Sequence, residues 1–457
     1  MSVARARITS TGPAAPRNRW LARLAPLALA ALATLGSAGT ARAQSLYELY
    51  EDARKFDAPY LAARALADSV TYRAEQLHAL RRPQVALTTN AGRTSFDLGA
   101  NDSATRSGTV GVNGKQTLFN RANDKTIAQA DKAVESARAD VELAEQDLIV
   151  RVAQAYFDVL AAQEALAAAQ ANLKAIAEQL ASAKRNFEVG TATITDTREA
   201  QARYDLATAQ QLQADNDLRA KRIALDTLVG RNGVTPHPAV TPVPLDPLLP
   251  GSVEEWVTPT ETGPSVRKQR TFYEQAQLET EKARAGNLPT VDLTAGVGRG
   301  NSQSTGLSST PNGSANTSAV KVELNLPLFT GFSVQNRIKE TLLLEEQQRE
   351  LLEAARRKTA QDTRVAYFGV QSLQAQVKAL EAAESSSLLA LEATQLGYRV
   401  GVRVNLDVLN AQTQLFTTRR DLAKARYDLL VNSLRLRQAA GTLKPDDVLT
   451  ISQLLVR

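Results

Sequence analysis

Cysteine is absent from the 457 residues, methionine occurs only as Met1, and histidine only as His78 and His237. The missing cysteine excludes disulfides, thiol catalysis, Cys-ligated metals and a lipid-modified N-terminal Cys together. His78 falls in a helical pattern and His237 between two prolines, in segments that do not correspond. No metal site is expected from so sparse a set of ligands. No nucleophile, base and orienting group cluster in a recognisable arrangement either, so neither an enzyme nor a cofactor is expected.

Excess basic charge is also missing once its location is considered. The net charge is +6, but residues 1–43 carry Arg5, Arg7, Arg17, Arg19, Arg23 and Arg42 and no acid. Those arginines precede and follow an apolar run from Leu24 to Leu35, and Ala41-Arg42-Ala43 forms an A-x-A exit. This is the pattern of a removable export signal; a membrane-spanning helix needs about 20 apolar residues. The mature chain is expected to begin near Gln44 with no net charge, which removes the case for a nucleic-acid partner.

What the chain does contain is a repeat. Phe187–Gly190 reads F-E-V-G, and 211 positions on (398 − 187) Tyr398–Gly401 reads Y-R-V-G. At the same offset Tyr156-Phe157 falls on Tyr367-Phe368, Asp196 on Asp407, Ala200-Gln201 on Ala411-Gln412 and Gly230 on Gly441. A shared register over this length predicts two copies of one unit. The expected division is a leader at 1–43, a first repeat at 44–231, a Pro-rich linker at 232–263 with no regular helix, a second repeat at 264–443 and a tail at 444–457.

Each copy follows one order of patterns. An Ala-rich helical stretch, Leu46 to Arg82, has Pro59 near its start and is closed by Pro83. Val85, Leu87, Thr89 and Ala91 then alternate with polar or small residues, which is the period of a strand. A polar segment, Asp97 to Gly108, reads as a loop before a weaker alternation ending at Leu118-Phe119. In the second copy Pro264 and Pro289 take the places of Pro59 and Pro83. Val291, Leu293, Ala295 and Val297 alternate, a polar loop spans Asn301 to Ser318, and Val320, Val322, Leu324 and Leu326 alternate with Lys321, Glu323 and Asn325. One greasy and one charged face suit a membrane barrel with a wet lumen; a half-buried strand in a soluble sheet has the same period. Gly296, Gly298 and Gly300 are not a dinucleotide loop, because they lie in a strand with no helix after them. Aromatics for an interfacial girdle are few, with Phe96, Phe119 and Phe329 the best placed.

After each hairpin comes a helical stretch without proline, Arg121 to Phe187 and Ser333 to Tyr398. Ile127, Ala130, Val134, Ala137, Val141, Ala144 and Leu148 recur at alternating spacings of three and four, a coiled-coil seam whose alanines allow close approach. At about 1.5 Å per residue such a rod is roughly 100 Å long. Shorter helices follow, Thr195 to Val229 and Asn405 to Ala440, the latter with Val408, Leu415, Leu422, Leu429 and Leu436 at every seventh position. Each covers half a rod, so the helix ahead of each hairpin is expected to stack on it and supply the rest. The fold class expected is mainly α, with long antiparallel coiled-coil helices and a transmembrane β part of four strands. Four strands cannot close a barrel, and open edges are not tolerated in lipid, so an oligomer is required.

From about Leu46 to Leu443 the chain resembles the TolC outer-membrane efflux duct family, most closely in Y-R-V-G-V-R-V-N-L-D-V-L-N-A-Q-T, A-R-Y and A-A-G-T-L between Tyr398 and Leu443. The resemblance implies a homotrimer in the outer membrane of a Gram-negative bacterium, with a shared 12-stranded barrel continuing into a helical α-barrel tunnel through the periplasm. It also implies a periplasmic adaptor and an inner-membrane pump. It implies a passive exit duct for drugs, toxic solutes or type I secreted proteins.

The resemblance further assigns roles to the two V-G turns. A gate is implied at Thr195, Asp196, Tyr398 and Arg403, where a carboxylate can accept from a phenol and a guanidinium at once. Read from the residues alone, each is better taken as a solvated group near a helix end, Asp196 favouring the first turn through the helix dipole; the resemblance is what turns the reading to a gate. A pore constriction is implied at Asp407; one turn on, Asn410 stands where a second aspartate is expected, which should weaken cation selectivity. Val189, Gly190, Thr191, Val400, Gly401 and Val402 are implied to dock the adaptor, although glycine after a helix is an ordinary cap. The alternative function is a soluble periplasmic coiled-coil interaction protein.

Overall fold

A computed structural model describes residues 44–96, 103–237, 251–305 and 311–456. The export signal, the tips of both hairpins and the middle of the linker lie outside the described residues.

The first copy opens with α1 (Leu46–Phe56), started by a capping box in which Ser45 and Glu48 each accept from the other's backbone N–H. The helix does not run on to Arg82 as one piece. Asp57 ends α1 and caps α2 (Ala58–His78), its carboxylate accepting from Tyr60 N at 3.0 Å, and Pro59 sits in the first turn where no N–H is needed. A 3-10 turn, Ala79–Arg81, leads into β1 (Gln84–Phe96) and β2 (Ser103–Phe119). Then come the rods, α3 (Arg121–Glu188) of 68 residues and α4 (Ile194–Val229) of 36.

The second copy repeats this order with α6 (Pro264–Ala285), β3 (Thr290–Thr305), β4 (Gly313–Asn325), α7 (Ser333–Arg399) of 67 residues and α8 (Asn405–Ala439) of 35. The stacking holds in both copies, α2 and α4 covering α3 while α6 and α8 cover α7. The linker departs from expectation. It contains a short helix, α5 (Val253–Val257), and a 3-10 turn, Thr258–Thr262, with Pro259 at the start of the turn, where a missing N–H costs nothing. The tail is also ordered as α9 (Pro445–Val456), which packs on α1.

All four strands form one antiparallel sheet in the order β1-β2-β3-β4. The strands are longer than the apolar alternation indicated, since Ser103 to Gly108, Asn301 to Thr305 and Gly313 to Ser318 pair in the ladder. Backbone hydrogen bonds do not require apolar side chains, so polar residues extended the strands without leaving a hydropathy signal. Leu87 pairs with Val112 and Val112 with Val297, which joins the alternating valines into one apolar face. Leu87, Val112, Val297, Val320 and Val322 are all exposed in the single chain. The opposite face holds Lys115 3.1 Å from Asp292 and Lys321 2.7 Å from Glu323. Gly111 pairs with Gly298, and a Cβ on either would lie 3.3 Å from the other's Cα. Close packing is therefore what these glycines serve. Among the described residues, no helix is long and apolar enough to cross a membrane.

The main core sits midway along the rods, where Leu49 and Tyr50 of α1, Tyr156 and Phe157 of α3, Leu225 of α4 and Leu430 and Leu434 of α8 converge with α9. The heptad positions from Val408 to Leu436 are all buried. Symmetry between copies ends at burial: Phe157 is 1% exposed but Phe368 56%. The two tyrosines keep equivalent partners, Tyr156 donating to His237 O at 3.0 Å and Tyr367 to Gly251 O at 3.2 Å, so both described ends of the linker lie against the rods. Along α7, Leu343, Val365, Phe368 and Leu389 stay exposed.

Candidate functional site at the helix tips

At the tip of the first pair, α3 ends in a left-handed glycine cap. Gly190 has φ +76, and the N–H groups of Thr191 and Ala192 return to Asn186 O at 2.8 and 3.2 Å. The second pair repeats the turn: Gly401 has φ +82, and Val402 and Arg403 return to Gly397 O at 2.9 and 3.2 Å. Both motifs satisfy carbonyls that a helix end leaves open. The space around both glycines is empty, since a Cβ would meet nothing within 4 Å. Val189, Val400 and Val402 project from these turns and are exposed, Thr191 is exposed beside them, and the Thr191 hydroxyl donates to Asn186 O.

The next residue pattern separates the two copies. Thr193 caps α4, donating its hydroxyl to Asp196 Oδ2 at 2.8 Å while Asp196 Oδ2 also accepts from Thr193 N at 2.9 Å. The carboxylate of Asp196 is thus occupied by its own turn. At the corresponding position α8 has Val404, which has no hydroxyl and makes no side-chain cap. Asp407 is therefore left to pair with Arg403 at 3.6 Å. Two differences between the copies, Thr193 against Val404 and Ala192 against Arg403, give the two equivalent aspartates different partners.

Within one chain the expected quartet does not assemble. Thr195 is exposed, Asp196 is held in its capping box, and Arg403 turns to Asp407. Only Tyr398 reaches across to the first pair, its hydroxyl accepting from Asn186 Nδ2 at 3.2 Å. Two further links join the pairs. Arg203 Nη2 on α4 donates to Asn410 Oδ1 on α8 at 2.9 Å, and Gln179 on α3 donates to Asn405 Oδ1. Asn405 is 3% exposed and its Nδ2 has no partner among the described residues. Behind these links, Leu409 packs with Ile176, Leu180 and Ala183. Tyr398 lies against Leu391, Val408 and Leu415.

Asn186, Arg203, Gln179 and Asn405 were not singled out from the sequence. A signal for three of them was present: at the repeat offset Asn186 falls on Gly397, Gln179 on Ala390 and Asn405 on Ile194. A polar residue in one copy opposite a small or apolar one in the other marks a contact between copies that the repeat cannot share. Arg203 falls on Gln414, which gives no such contrast.

Arranged this way, the tips can hold two helix pairs together by a few polar links over a thin apolar layer. Such links are individually weak and reversible. Among the described residues no group of His, Asp and Glu could hold a metal.

The sequence profile of a family described as outer membrane efflux proteins matches residues 49–231 and 261–442. The chain is 31% identical to the outer membrane protein TolC of Vibrio cholerae, over 89% of this chain and 93% of that protein. It is 33% identical to the alkaline protease secretion protein AprF of Pseudomonas aeruginosa, over 71% of this chain and 66% of that one. Its fold is that of the outer membrane protein VceC of Vibrio cholerae, with a TM-score of 0.73 at 20% identity, covering 87% and 96% of the two chains. With the profile matching both copies and the Vibrio cholerae relative matched over nearly its whole length, this chain belongs to the outer membrane efflux protein family and is an outer-membrane exit duct.

Proposed function

We propose that three copies of this chain close a 12-stranded barrel in the outer membrane and a helical tunnel beneath it, through which cargo leaves passively. The observation that carries this reading is the sheet: four strands, two free edges, one exposed apolar face and one charged face, mounted on rods about 100 Å long. Free edges in lipid are prohibitive, so neighbours must supply the pairing. The apolar residues left exposed along α7 are the surface on which the neighbouring rods pack.

The tunnel is closed at the helix tips. Asn186–Tyr398, Arg203–Asn410 and Gln179–Asn405 tie the second helix pair to the first, and Asp407, paired with Arg403, lines the constriction. Asp196 shapes the turn, and Thr195 stays exposed toward a neighbouring chain. A periplasmic adaptor docks on Val189, Gly190, Thr191, Val400, Gly401 and Val402 and pulls the pairs apart, with an inner-membrane pump supplying the energy. The family's description as efflux proteins and the relative named for protease secretion indicate the range of cargo. Gly401→Pro tests the docking role: the trimer should assemble, while transport is lost because proline removes the N–H that donates to Tyr398 O and cannot adopt φ +82.

The deciding experiment is planar-bilayer conductance of the purified mature protein. Small, stable currents per trimer support the duct. Well-folded protein that stays soluble without detergent and carries no current refutes it and favours a periplasmic coiled-coil interaction protein.

A further inference from the structure

The apolar face of the sheet ends in arginine. Arg93 on β1 stands directly across from Arg106 on β2, and Arg106 across from Gln303 on β3. Directly paired residues share a face, and every second residue along a strand returns to it. By that register Arg93 and Arg106 are on the same side as Leu87, Val112 and Val297, not on the side of Lys115 and Asp292.

The height of this rung follows from the ladder. Twelve residues separate Val291, at the base of the apolar face, from Gln303, which is about 40 Å along the strand and about 30 Å across the membrane at a tilt near 40°. The apolar band of an outer-membrane barrel is about 25 Å tall. The rung therefore lies just beyond the hydrocarbon, at the level of the outward-facing headgroups. Both arginines are exposed, and neither has an acidic or hydrogen-bonding side-chain partner among the described residues. Arg299, lower on the same face, donates to Ser314 Oγ at 3.2 Å. Two guanidinium groups side by side across a ladder repel each other unless an anion lies between them.

We infer that Arg93 and Arg106 together bind the phosphate of an anionic lipid headgroup in the outward leaflet. A guanidinium matches a phosphate bidentately, and two of them on one rung can grip it from both sides. The site would fix the barrel's depth in a membrane-facing surface with few aromatic anchors. It rests on the membrane-barrel reading of the sheet.

Native mass spectrometry of the detergent-released trimer, incubated with phosphatidylglycerol or with phosphatidylcholine, tests the site. The wild-type protein should retain phosphatidylglycerol in preference to phosphatidylcholine. R93Q/R106Q should lower that retention about thirtyfold, and R93K/R106K should keep part of it. Equal retention of the two lipids by the wild type, or undiminished phosphatidylglycerol on R93Q/R106Q, overturns the inference. Conductance of the same preparations in phosphatidylcholine separates this from the duct itself. Wild-type currents from R93Q/R106Q show that the glutamine variant is folded, so its lost retention supports the site. Lipid preference without current in any preparation counts against the duct and not against the arginines.

Discussion

Cutting the links at the helix tips should open the tunnel. In R203S/Y398F, Arg203 no longer donates to Asn410 and the Tyr398 hydroxyl no longer accepts from Asn186, contacts of 2.9 and 3.2 Å in the intact chain. Neither side chain is deeply buried, so each link contributes about 0.5–1 kcal/mol. With two links cut in each of three chains opening in concert, roughly 3–6 kcal/mol of closure is lost, which moves the closed-to-open ratio by a factor on the order of 100 to 10,000. Single-channel recording reads this directly as open probability. The Arg203 contribution should also shrink as salt rises, because an exposed charged contact is screened. D196A is the contrasting variant: it removes the capping box, costs about 1 kcal/mol of local helix stability and should leave the current small. If D196A with R403S opens the channel while R203S/Y398F leaves it shut, the closure lies in the set implied by family resemblance and the links described here are incidental.

Asp57 is buried and accepts from both Arg151 Nη1 and Nη2, at 2.8 and 2.9 Å, while capping α2. Asp57→Ala should cost about 2–4 kcal/mol, reaching below the range for a fully buried pair, because Arg151 is one-third exposed and keeps Asp147; urea unfolding measures it. Arg151 holds this carboxyl below its ordinary range, so its contribution is complete above about pH 4 and fades as the pH falls further. The stability gap between wild type and Asp57→Asn should accordingly narrow on acidification, and a constant gap would contradict the pairing. Gly298→Val places a Cβ 3.1 Å from Val110 O and 3.3 Å from Gly111 Cα; barrel assembly, scored as heat-stable trimer on a gel, should fail while the helical content by circular dichroism stays near wild type. Asp407→Ala removes the one carboxylate paired with Arg403 among the described residues and should shift the reversal potential toward anions, since three guanidinium groups then stand unneutralised near the axis; an unchanged potential would place Asp407 off the pore.

Residues with a strong period were read correctly from the sequence. The rods were located to within a residue or two, because 3.6-residue periodicity sustained over 67 and 68 residues without proline has no other structural solution. The heptad from Val408 to Leu436 was likewise buried in full. Strand length was underestimated, because polar residues in a ladder satisfy their backbone as well as valine does. The helix break at Asp57 and the turn around Pro259 were missed for a related reason: a proline permits a helix start as readily as it ends a helix.

The sequence alone determined the duplication, the hairpins and rods, and the need for more than one chain, since each rests on local periodicity or on edges that lipid cannot tolerate. Which polar groups meet at the tips was decided only by the tertiary structure. Asp196 and Asp407 are equivalent in the repeat, yet one folds back on Thr193 and the other pairs with Arg403. Tyr398 and Asn410 take partners from the opposite copy. A repeat predicts what its copies have in common, whereas contacts between the copies depend on where they differ and on how four helices cross in space.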